Sequence, residues 1–114
     1  MVKYKTSSNI YDLLDVLYFN RKQHSPRTAL ISLIPDTPVR VLDVCAGTGS
    51  NSLSIARHKT GARITALDRS ADMLRIAGNK ILKANIGNIE TIIADACSTG
   101  FDDETFDVVM LSKL

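Results

Sequence analysis

Three short runs rich in β-branched and apolar residues, 39–44, 62–67 and 89–94, each carry an aspartate at or just past their carboxyl end, and amphipathic stretches separate them. Asp43, Asp68 and Asp95 are those aspartates. Residues 50–58 follow the first run with Leu53, Ile55 and Ala56 as their apolar set, and residues 71–84 follow the second with Leu74, Ala77 and Ile81 inward and Ser70 as cap. After a loop at 95–105 a fourth run, Phe106–Leu111, completes the pattern. Strands that alternate with helices return parallel through right-handed crossovers, so the chain is predicted to be an α/β domain on a parallel sheet.

Ahead of this pattern, Ile10, Leu13, Leu14, Leu17 and Tyr18 mark one face of a helix over residues 10–19, with Asn9 as cap. Ser25 and Pro26 open a second helix that Pro35 stops near Ile34. The reading is a single domain over residues 1–114, with a helical extension at 1–38 and the α/β part at 39–114. Of the 114 residues 45% are hydrophobic and the net charge is only +2, which excludes general disorder. No apolar stretch approaches the ~20 residues of a membrane span, and the start lacks the apolar core of a signal peptide. No membrane partner is expected. The +3 over residues 1–40 is scattered along the chain, as a solvated face would be, so no nucleic-acid partner is expected either. Cys45 and Cys97 suit neither a disulfide framework nor a metal site; a cytoplasmic setting follows and no metal is assigned. The terminal Ser112-Lys113-Leu114 also spells a peroxisomal address.

Candidate chemistry gathers at the strand ends. Gly47-Thr48-Gly49 directly follows the strand carrying Asp43; glycines let a backbone approach a ligand, and the helix opening near Ser50 presents free N–H groups to it. Asp68 lies 19 residues beyond Gly49, where an acidic side chain in this topology bonds both ribose hydroxyls. Each aspartate has a structural alternative as a helix cap or turn former.

Together these residues resemble the class I S-adenosylmethionine-dependent methyltransferases over about residues 39–111. The matching segments are 41–49, 64–68, 70–74, 92–96 and 101–111, and residues 11–21 are similar to the start of quinone-precursor methyltransferases. The resemblance implies a Rossmann-like three-layer sandwich with strand order 3-2-1-4, a truncated form of the family's longer sheet. It implies S-adenosyl-L-methionine as cofactor, S-adenosyl-L-homocysteine as product and a small-molecule methyl acceptor as partner. Asp43, Ala46, Gly47, Thr48 and Gly49 would hold the methionine part of the cofactor, Asp68 the ribose, and Arg69, Asp95 and Ala96 the adenine. Cys45 stands where the family's first glycine is expected. Three further strands of the family's order do not follow the fourth, so no catalytic base is named and the acceptor wall is not accounted for. The fourth strand would then be a bare apolar edge, through which a homodimer is expected.

Two alternatives stand beside this. Gly47-x-Gly49-x-x-Ser52 approximates a dinucleotide-binding fingerprint for NAD, and a non-catalytic binding or assembly module would keep the same fold. Among other residues, Cys45 and Cys97 are expected to be small buried side chains, His24 and His58 surface residues, Asp102, Asp103 and Glu104 a solvated turn, and Met73 and Leu74 core.

Overall fold

The computed structural model describes residues 6–12, 31–96 and 106–112. Among the described residues the elements run in the order β1 (Thr6–Asp12), β2 (Arg40–Val44), α1 (Ser50–His58), β3 (Arg63–Asp68), α2 (Ala71–Ala84), β4 (Ile89–Ile93) and β5 (Phe106–Leu111). The strands form one parallel sheet in the order β1-β5-β2-β3-β4. The four expected strands thus stand in the expected order, and β1 is added beside β5.

Apolar side chains fix the two faces. Val41, Ile64, Val108 and Met110 pack with Ile55 and Ala56 of α1 on one side, while Leu42, Val44, Leu67 and Phe106 form a cluster on the other. A central strand buried on both faces needs a continuous apolar run, which is why β2 reads Val-Leu-Asp-Val with every one of these residues buried. Each fully buried aliphatic side chain contributes roughly 1.5–3 kcal/mol. Asp43, fully buried, lies two residues from Val41 and so faces α1. At the amino ends of the strands, Arg40 grips Asp107 through Nε at 3.3 Å and a terminal nitrogen at 3.1 Å. That pairing raises the guanidinium pKa above its usual value, through the hydrogen bond first and the charge second.

The helices end where their chemistry demands. Ser70 Oγ accepts from Met73 N–H to open α2, and Asn85, at φ +55°, closes it by donating its N–H to the carbonyls of Ile81 and Leu82. Residues 31–33 are helical and Ile34 is buried, as expected of the end of the second helix. None of the described helices is long and apolar enough to cross a membrane.

The amino-terminal helix is corrected. A strand covers Thr6–Asp12 where a helix was expected to start at Ile10, because backbone pairing with β5 outweighs the helical spacing of the side chains there. The edge of β5 is therefore occupied by β1, and the expectation of a homodimer through a bare edge loses its premise. The rest of residues 10–19, His24, Cys97, the acidic turn at 102–104, Lys113 and Leu114 lie outside the described residues.

Candidate functional site

The five described strands are parallel, so their carboxyl ends meet on one side of the sheet, where a crevice forms as strand order reverses between β2 and β5. The turn from β2 to α1 passes through the left-handed region three times, at Cys45 (φ +58°), Gly47 (φ +59°) and Gly49 (φ +79°). The conformation is held by Ala46 N–H donating to Leu67 O at 2.9 Å and Gly49 N–H donating to Ala46 O at 3.0 Å. Gly49 is required twice over. Its φ excludes most side chains, and a Cβ there would stand 3.0 Å from that of Ala77 on α2. At Gly47 a Cβ would meet nothing within 4 Å, so this position opens onto free space.

Asp68 secures the same turn from β3. One carboxylate oxygen accepts from Gly47 N–H at 2.8 Å and the other from Ser70 N–H at 2.9 Å. A carboxylate offers about four lone-pair sites, so each oxygen keeps one for a ligand hydroxyl. Asp68 is half-buried. Ala94 N–H donates to the backbone carbonyl of Asp68 at 3.0 Å, which sets exposed Asp95 and half-buried Ala96 beside this strand end; Arg69 is exposed.

Asp43 differs from Asp68. Its carboxylate accepts from Ser52 Oγ at 2.6 Å and from Ser112 Oγ, and no part of it reaches solvent. Burial pushes its carboxyl up to about 6, against the two serine bonds that favour the ionised form, and the charge of Asp68 adds to the rise. Ser112, just past β5, also accepts from Asn51 Nδ2 at 3.1 Å, so one network joins β2, α1 and β5.

The cleft itself has a volume of about 240 Å³ and is lined by Cys45, Ala46, Gly47, Thr48, Ser50, Asn51, Met73 and Ser112. Of the expected site residues, Ala46, Gly47 and Thr48 line it directly. Asp43, Gly49 and Asp68 support the lining, Asp43 through Ser112 and Asp68 through Gly47. Arg69, Asp95 and Ala96 stand outside it. Asn51 and Ser112 carry no signal in the sequence; Met73, expected in the core, is instead 36% exposed and lines the cleft, whereas Leu74 beside it is core as expected. Cys45 is half-buried, and burial with the charges of Asp68 and Asp43 raises its thiol pKa, which disfavours the reactive thiolate. A larger groove of about 410 Å³ between α1 and α2 shares only Ser50 with the cleft and lies away from the aspartates. Among the described residues no set of three His, Cys, Asp or Glu is placed to hold a metal ion.

Residues 41–114 match the family described as "Methyltransferase domain". The chain belongs to that family. This methyltransferase domain is 35% identical over 103 residues to the demethylmenaquinone methyltransferase of Thermobifida fusca, covering 90% of this chain and 43% of the relative. It is 33% identical over 105 residues to the enzyme of the same name from Porphyromonas gingivalis, again covering 90% of this chain and 43% of the relative. The chain therefore spans about two fifths of the length of these curated relatives. Among solved structures, phosphoethanolamine N-methyltransferase 2 of Haemonchus contortus, in complex with S-adenosyl-L-methionine, superposes with a TM-score of 0.68 at 25% identity, over 75% of this chain and 20% of that one. Coclaurine N-methyltransferase superposes with a TM-score of 0.65 over 75% of this chain and 27% of that one; at 24% identity it shows the shared fold. The class I methyltransferase fold expected from the sequence is the fold found.

Proposed function

We propose that this chain is the cofactor-binding part of an S-adenosylmethionine-dependent methyltransferase acting on a small molecule. One observation carries the reading: the Asp68 carboxylate, fixed by the Gly47 and Ser70 amides, keeps two lone pairs beside Gly47, a lining residue of the cleft where a Cβ would meet open space. Two spare acceptors on one rigid carboxylate suit the two hydroxyls of a ribose. In this reading Gly47, Thr48 and Gly49 with Ala46 hold the amino-acid part, Arg69, Asp95 and Ala96 the adenine, and Asp43 stiffens the wall from behind. The bound cofactor supplies a methyl group on a sulfonium, whose transfer needs mainly in-line placement of the acceptor. The names of the relatives support a quinone-precursor acceptor, and cysteine usage alone supports a cytoplasmic setting.

The NAD reading is disfavoured by Ser52. That position wants a residue without a polar demand for close helix packing, and here it is fully buried with its hydroxyl given to Asp43. Calorimetric titration with S-adenosylhomocysteine is expected to show one site. Asp68→Ala is expected to weaken it ten-fold or more, since bonds to an ionised partner are worth about 1.5–3 kcal/mol. No heat from the parent at millimolar ligand overturns the proposal.

A further inference from the structure

Lys80 stands on α2, yet its half-buried ammonium reaches the turn, donating to Ser50 Oγ at 3.1 Å and, more weakly, to Thr48 Oγ1 at 3.5 Å. It makes no ion pair among the described residues. Ser50 and Thr48 both line the cleft, whereas Lys80 does not. The geometry dictates the protons. A hydroxyl that accepts from an ammonium points its own hydrogen elsewhere, and among the described residues neither hydroxyl has an acceptor for that hydrogen. Two hydroxyls polarised by one cation are therefore left as donors at the cleft wall, and hydrogen bonds in such a chain strengthen one another. The group that satisfies two adjacent polarised donors is an anion with two oxygens.

We propose that Lys80 is a positioning residue that selects a ligand bearing a carboxylate, by turning the Thr48 and Ser50 hydroxyls toward it. This rests on the cofactor reading above and deepens it, because the amino-acid part expected at this turn ends in a carboxylate. Among the described residues no carboxylate pairs with Lys80. Asp43 is sealed behind Ser52 and Ser112, and Asp68 is held by the amides of Gly47 and Ser70.

The test is calorimetry on the whole chain with two ligands, S-adenosylhomocysteine and its decarboxylated analogue, which keeps the adenosine and the amine. Lys80→Met is expected to weaken S-adenosylhomocysteine about ten-fold and to leave the analogue within about two-fold, as loss of a charge-assisted contact to the carboxylate requires. Lys80→Arg is expected to restore most of the loss. Ser50→Ala, which leaves the lysine in place, is expected to show the same ligand selectivity in smaller degree. Equal weakening of both ligands by Lys80→Met reduces the lysine to a brace for the turn and overturns the proposal, as does no weakening of either. Absence of S-adenosylhomocysteine binding by the parent chain is a different result, and overturns the cofactor reading itself.

Discussion

A single buried carboxylate makes the folded state sensitive to pH in an unusual direction. Asp43 has its carboxyl pushed up to about 6 by burial, above the ordinary value of 3.8. The native chain therefore binds this proton more tightly than the unfolded chain does. Stability falls as pH rises from about 4 through 6 and is level with respect to this group above that, by up to about 3 kcal/mol. Asp43→Asn removes the charge at similar volume, so its stability relative to the parent is expected to rise between pH 4.5 and pH 7.5, as urea unfolding at the two values would show. A difference that does not change with pH means that burial does not govern the carboxyl. Gly49→Ala is the second residue-scale prediction. It forces a left-handed φ on a residue with a Cβ and presses that Cβ to 3.0 Å from Ala77, so a loss of roughly 2 kcal/mol is expected, read as several degrees in the melting temperature.

At the scale of elements, β1 decides how the sheet ends. It pairs with β5 through Thr6 opposite Phe106 and Asp12 opposite Val109, with a register shift between. Removing residues 1–12 uncovers a strand whose apolar run Val108, Val109, Met110 and Leu111 offers unpaired N–H and C=O groups to any other chain. Light scattering is expected to show concentration-dependent association of the shortened chain and none of the parent through this edge; equal behaviour of the two denies β1 its covering role. The contrast between β1 and the other strands shows what a sequence makes legible. β2, β3 and β5 were readable because burial on both faces demands apolar residues throughout. An edge strand needs little more than its backbone, and Thr6-Ser7-Ser8-Asn9 carries no side-chain signal, while the helical spacing that starts at Ile10 points elsewhere. The site divides in the same way. Asp68 and the Gly47 turn could be read because type and position suffice, whereas Ser112 meets Asp43 across 69 residues and Lys80 meets Ser50 across 30, separations that no local pattern encodes.

For the molecule as a whole, a ligand that binds only the native state raises stability by about 2.7 kcal/mol at one hundred times its dissociation constant. Saturating S-adenosylhomocysteine is expected to raise the melting temperature by several degrees, and NAD at the same concentration is expected to leave it unchanged; the reverse order would favour the dinucleotide reading. The sheet also has a history in time. Thr6 is translated 100 residues before its partner Phe106, an interval of about 5 to 20 s at ordinary rates of synthesis. Throughout that interval the first strand has nowhere to dock, and Asp43, once made, meets Ser52 nine residues later but Ser112 only after 69. β2 and β3 can pair early, because their crossover through α1 is short. The ligand crevice, which needs β5, can be assembled only after nearly every other described residue has been made.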